Sequence, residues 1–203
     1  MSGEHKEFEG YVQSLCQEGK TNEAATSVIE QYGPALLSFL ESMSRGSAQA
    51  GEDVFQVVCC KIWERLPSFE WGQGSLRAWV FVVARHTFIN HHRSHQRKRE
   101  ERLVDRLNVI PVQLSRTVTH EWVKTEVKSK LWDSIKTLPP DDRTLLMLRL
   151  QQEMRWTEIA RILHNGEDEL EPIEQKRAAA KARKRFERLK ATLRQQMKAD
   201  AGA

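Results

Sequence analysis

The sequence predicts an all-α protein of two helical domains joined by a flexible linker. Three observations predict it. Apolar residues recur at helical spacing through both halves of the 203-residue chain. Positive charge gathers at the end of each half: six Arg/Lys between His91 and Arg106, and ten against three acids between Glu171 and Lys198. Between the halves, "LNVIPVQLSRTVT" (residues 107–119) carries a single charge and a proline, and reads as a linker. The expected organisation is an N-terminal extension 1–20, a first domain 21–106, the linker 107–119 and a second domain 120–203.

The first domain follows helix by helix. Residues 21–43 place Ala25, Val28, Ile29, Tyr32, Leu36, Leu37 and Leu40 on one face. Gly33-Pro34 interrupts them, so a kink or two shorter helices is expected. "SRGSAQAGE" reads as a loop. Residues 52–66 form the next helix, stopped by Pro67, with Phe55, Val58, Cys59, Ile62 and Leu66 on its apolar side. Asp53, Gln56, Lys61 and Glu64 lie opposite, a polar face of mixed sign that suits a protein partner or plain solvent. "PSFEWGQGS" is a loop holding Phe69 and Trp71, which either tuck onto the core or stack on unpaired bases at about 1–3 kcal/mol per base. Ser75 is placed to cap a helix from Leu76 to about Arg93. "AWVFVVA" has the composition of a buried strand, but the pattern is too long for one. Trp79, Val80, Val82, Val83 and Ile89 form its apolar arc. Arg77, Phe81, Arg85, Phe88 and His92 share a narrower sector, either a single-strand platform or a core helix with surface arginines.

The second domain repeats the exercise. "EWVKTEVKSKLWDSIKTL" is a helix ending at Pro139-Pro140, and "PDDRTLLMLRLQQE" starts the next with Pro and Asp at its front. "MRWTEIARIL" is short, "HNGEDEL" turns, and a long basic helix runs from Pro172 to about residue 197. This is the helix-turn-helix order, with the last helix expected in the major groove. Its front residues reach base edges, which favours Arg177 and Lys181, then Gln175. Lys184, Arg185 and Arg188 are left for phosphates or solvent.

Bulk properties bound the rest. Hydrophobic residues make up 39% and charged residues 30%, ordinary for a soluble chain. No apolar run approaches the roughly 20 residues that span a bilayer, and "MSGEHKEFEG" lacks a signal-peptide pattern, so no membrane insertion is expected. Three cysteines, two of them adjacent, do not make a disulfide framework, and a cytoplasmic setting fits. His91 and His95 have the spacing of two metal ligands on one helix face. Cys59 and Cys60 do not complete a site, because neighbours on a helix point about 100° apart. No metal, cofactor or catalytic residue is expected.

Two segments resemble a known family. "EDVFQVVCCKIWERLPSFEWGQGSLRAWVFVVARHTFINHHR" is similar to region two of bacterial RNA polymerase sigma factors of the extracytoplasmic function (ECF) type, with Asp53, Gln56, Trp63, Gly74, Ser75, Arg77, Ala78, Trp79, Ala84, Arg85, Ile89 and Arg93 matching in order and spacing. "LPPDDRTLLMLRLQQEMRWTEIARIL" resembles the start of region four. The resemblance implies that Asp53, Gln56 and Lys61 dock on the β′ clamp helices of core RNA polymerase. It implies that Phe69, Trp71, Arg77, Arg85, Asn90, His92 and Arg93 face the melted minus-ten element of promoter DNA. The second domain would then read the minus-thirty-five duplex through Gln175, Arg177, Lys181, Lys184 and Arg185, near the β flap. An anti-sigma factor is a common partner in the family. Three departures stand out: His86 and Asn90 replace the usual Asn and Asp, Arg155 replaces a capping Ser, and the turn after Leu163 carries an acidic extension with Glu167, Asp168, Glu169 and Glu171. Losing that capping box is expected to cost roughly 0.5–2 kcal/mol unless Thr157 substitutes. The readings of a different class are a stand-alone helix-turn-helix regulator, which would bind duplex by itself, and a metal-dependent nucleic-acid enzyme.

Overall fold

The computed structural model describes residues 2–44, 47–72, 74–101, 134–164 and 171–201. All regular structure among them is helical: α1 (Ser2–Gln17), α2 (Thr21–Met43), α3 (Ala48–Arg65) with a short 3₁₀ turn at Leu66–Ser68, α4 (Leu76–Glu101), α5 (Pro140–Leu150), α6 (Trp156–Leu163) and α7 (Pro172–Ala201). The expected linker, the acidic residues 165–170 and most of the helix expected over 121–138 lie outside the described residues. Only the last turn of that helix, at 134–137, is seen.

The first lobe is built on α2, which packs against α1, α3 and α4. Val28, Tyr32, Leu36, Phe39 and Leu40 of α2 meet Val54, Phe55, Val58 and Ile62 of α3, and Leu76, Val80, Phe81 and Ala84 of α4. Phe39 and Phe81 contact edge to face at 5.3 Å, the geometry that ring quadrupoles favour.

α2 runs unbroken through Gly33-Pro34, which removes the expected alternative of two shorter helices. Packing carries it past the missing proline donor: Gly33 lies under the Phe55 ring, 3.4 Å from where a Cβ would stand. α3 begins at Ala48, inside the expected loop, because the Ser47 hydroxyl accepts from the Ala50 N–H at 3.3 Å and caps it. Early in α3, Gly51 lets the helix touch α2. A Cβ there would stand 3.0 Å from both the Cα and N of Glu41. Gly51→Ala is therefore expected to force the helices apart at a cost of about 1–3 kcal/mol. An unchanged urea midpoint would refute that close approach.

In the second lobe, Leu145, Leu146 and Leu148 of α5, Met154, Ile159 and Ile162 around α6, and Ala182 and Phe186 of α7 make the core. Trp156 meets Phe186 at 5.4 Å, and the Arg149 guanidinium covers its ring at 4.8 Å. The lobes are not separate bodies: α4 packs against α6, and α2 against α5.

Candidate nucleic-acid and protein interfaces

The first surface is the outer side of α3. Asp53 and Gln56 are exposed and Lys61 is half-buried. The Gln49 side-chain amide donates to Asp53 Oδ1 at 3.2 Å. The same face shows two apolar residues, Val57 and Trp63, the latter 52% exposed. The Trp63 indole N–H donates to Asn22 Oδ1 at 2.7 Å, which fixes the ring at the surface. Trp63 was expected only as a residue of the matched motif, not on this exposed face. The signal was its place seven residues after Gln56, hence on the same side of the helix.

The second surface is the aromatic loop with α4. Phe69 is buried, edge-on to Trp71 at 4.9 Å and tilted against Trp79 at 5.3 Å. The stacking role expected for Phe69 is therefore not available in this conformation. Trp71 is half-buried. Ser75 caps α4, its hydroxyl accepting from the Ala78 N–H at 3.2 Å. Two carboxylates converge on that helix start, where the macrodipole favours them. Glu9 of α1 accepts from the Leu76 N–H at 2.8 Å, and Glu158 of α6 accepts from the Ser75 hydroxyl at 2.7 Å.

The sector expected to face nucleic acid divides along its length. Phe81 is wholly inside the core. Arg77 donates to the Gln152 carbonyl at 2.5 Å. Arg85, only 2% exposed, donates to Asp141 Oδ1 at 2.8 Å. The His86 ring lies 3.4 Å from the His164 carbonyl oxygen. All these acceptors belong to the second lobe. Arg77 and Arg85 are thus withdrawn from the surface on which the minus-ten role was expected. Beyond them Asn90, His92 and Arg93 are exposed, with Phe88 stacked on His92 at 5.9 Å. A cavity of about 190 Å³ opens here, lined by Met43, Arg85, Phe88 and His92 on one side and Pro140 and Asp141 on the other.

The third surface is α7. Its inner face buries Ala179, Ala182, Phe186 and Leu193. Arg177, Lys181, Lys184 and Arg188 are exposed. At about 100° per residue they form one stripe on the far side. Arg185 is not part of it. It pairs with Asp142 and ties α7 to α5, which corrects the expected phosphate contact. The Gln175 amide donates to the Thr157 carbonyl at 3.5 Å, so Gln175 faces α6 rather than solvent.

The capping box of α6 is half kept. Arg155 has no side-chain acceptor, but Glu158 still accepts from the Arg155 N–H at 3.0 Å and from its guanidinium at 3.3 Å. Burial pushes the Glu158 carboxyl up, yet the hydrogen bonds from Arg155 and Ser75 together hold it below its usual 4.5. Burial raises Glu9 despite the Leu76 and Arg77 amides. The signs are opposite. Glu158 contributes stability above 4.5 that is lost as pH falls through its depressed value, whereas the Glu9 contribution is present below 4.5 and lost as pH rises through its raised one. Acidification well below 4.5 is therefore expected to release the Ser75–Glu158 bond. Carboxyl NMR titration checks this; a Glu158 titration at or above 4.5 would contradict it. Among the described residues no cluster of three or more His, Cys, Asp or Glu is placed to hold a metal.

Comparison with known proteins gives these surfaces a context. Residues 28–98 match the family described as Sigma-70 region 2, so the first lobe is a sigma region-two domain. The chain is 29% identical over 151 residues to RNA polymerase sigma factor YlaC of Bacillus subtilis (strain 168), covering 71% of this chain and 82% of that one. The fold is similar to that of the sigma factor RpoE in its co-crystal structure with the anti-sigma factor NepR from Bartonella quintana: TM-score 0.50, 22% identity, 79% of this chain and 92% of that chain. The chain is thus similar to RNA polymerase sigma factors, through the region-two match of its first lobe and through a relative that spans most of its length.

Proposed function

We infer that the chain binds core RNA polymerase through α3 and directs it to promoters, with α4 serving the melted minus-ten strand and α7 the minus-thirty-five duplex. The observation that carries this reading is the exposed α3 face, where Asp53 and Gln56 sit beside an ordered, exposed Trp63. Charged groups set approach and register while an aromatic anchor supplies contact energy, the usual division in a protein interface. No chemical step falls to this chain, because bond formation in transcription belongs to the polymerase. It acts where the polymerase acts, in the cytoplasm. For the minus-ten strand, Trp71, Asn90, His92 and Arg93 are presented directly, and Arg77 and Arg85 once their present partners let go.

Run-off transcription with purified core polymerase on a library of upstream fragments tests the reading. Discrete start sites that depend on the added chain support it; their absence, with tight duplex binding by the free chain, favours a stand-alone regulator. Asp53→Lys is expected to weaken core association by about tenfold at low salt, chiefly through the on-rate, without unfolding the lobe. Undiminished co-purification of that variant with core would remove Asp53 from the interface.

A further inference from the structure

We propose that Asn22 is a positioning residue for the polymerase-docking face: by holding the Trp63 indole it sets in advance the orientation in which that ring meets its partner, and it brings the first turn of α2 into the docking surface. The proposal rests on the reading of α3 as the docking face and names a residue on which that face depends.

The fold does not require this contact. It joins residues 41 positions apart, with the indole N–H donating to Asn22 Oδ1 at 2.7 Å. A buried indole needs a partner for its N–H because water cannot reach it. Trp63 is 52% exposed and Asn22 is exposed too, so water can replace either group. A bond of that kind adds little to folding stability, since protein and water partners exchange almost evenly. Nor does α2 call for an asparagine there. Asn22 is the second residue of the helix, past its N-cap, where Asn is a poor helix former, and the helix start has no side-chain cap.

What the bond fixes is direction. An indole held only by its own Cα swings about two side-chain torsions. A hydrogen bond from Nε1 to a second element removes most of that freedom. Both ends stand on firm backbone: Ala24 and Ala25, close to Asn22, and Ile62, next to Trp63, are core residues. α2 and α3 pack directly on one another. The ring is therefore a surface group tied to two helices that the core already locks together.

Its place matters as much as the tether. Trp63 follows Gln56 by seven residues, two turns that fall within about 20° of one another, so the ring stands on the same side of α3 as the polar docking residues. Large aromatic side chains supply much of the energy of protein interfaces. Ordering such a side chain at the moment of binding detracts from affinity, and ordering it beforehand avoids that loss.

The test measures binding of the full chain to purified core polymerase by surface plasmon resonance, with the urea midpoint alongside. Asn22→Ala should weaken core association by about threefold to tenfold, the effect of leaving one side chain to be ordered on binding. The urea midpoint should not move, because both residues are at the surface. The Trp63 indole N–H resonance should shift and exchange faster with water. Asn22→Asp keeps an acceptor and should restore most of the affinity at moderate salt, where its added charge is screened. Trp63→Phe keeps a ring without the N–H, so Asn22→Ala should add nothing further on that background. An equal loss on both backgrounds would make Asn22 a direct contact and overturn the positioning role. A binding loss that only tracks a lowered urea midpoint would overturn it as well. If Trp63→Ala weakens core association and Asn22→Ala does not, the positioning role falls and the α3 reading stands. If Trp63→Ala and Asp53→Lys both leave association intact, the α3 reading falls and takes the positioning role with it.

Discussion

Replacing Phe69 by Ala is expected to cost about 3–4 kcal/mol of folding stability, the size seen when a buried aromatic ring is removed. The ring is 9% exposed and is gripped by Trp71 and Trp79. Those contacts are lost outright, because the loop between the 3₁₀ turn and α4 is anchored by this cluster. The outcome separates two readings of an aromatic loop. A base-stacking platform would be exposed, and its removal would spare stability while impairing promoter opening by about 1–3 kcal/mol per base. A core ring should do the reverse: a lower urea midpoint, and transcription that falls only in proportion to the folded fraction. Permanganate reactivity at the promoter, measured where the variant is still folded, should match wild type. A selective loss of melting with an unchanged urea midpoint would return Phe69 to the DNA. Trp71, which keeps part of its indole at the surface, is the better candidate for a stacking residue.

The same loop shows where the sequence was legible. Periodicity located α2, α3, α4, α6 and α7, because burial of one face imposes the helical repeat on residue choice. The matched motif also singled out the outer face of α3, where Asp53 and Gln56 are exposed. Partners across the chain were not legible. Arg85 meets Asp141 from 56 residues away, Arg77 meets Gln152 from 75, and Ser75 meets Glu158 from 83. A helical wheel treats an arginine as solvated, and nothing local says that α4 is covered on two sides, by α2 and α3 and also by α6. Phe81 failed for a related reason. It falls in the sector of Arg77 and Arg85, yet Phe39 of α2 reaches it there. Asp141 and Asp142 were read through the macrodipole of α5. That reading is correct for the helix, but it is silent about the arginines each of them holds. Arg185 is the plainest case: inside a run of basic residues, only the fold distinguishes the one that holds α7 in place from those that face outward.

Truncating the α7 stripe is expected to have the largest effect on DNA. With Arg177, Lys181, Lys184 and Arg188 all changed to Ala, the slope of log affinity against log salt for duplex should fall by about two units, since Lys184 and Arg188 are the two assigned to phosphates and each phosphate contact on B-form DNA contributes about 0.9. The four follow one another by steps of four, three and four residues and are exposed, so one duplex face can meet them together. Single changes should then separate. Recognition helices present their front residues to base edges, so Arg177→Ala and Lys181→Ala should each cost about 1–3 kcal/mol at one position of the minus-thirty-five site. Lys184→Ala and Arg188→Ala should weaken all sequences alike. Arg185→Ala should behave unlike any of them. It leaves Asp142, whose side chain is 13% exposed, without its partner, so stability should fall while the salt slope holds. Anisotropy titrations over a range of salt, on duplexes recovered from a promoter library, measure every term. A salt slope that survives the fourfold substitution would take α7 off the phosphate backbone. Unchanged base preference in Arg177→Ala and Lys181→Ala would shift the reading register along the helix.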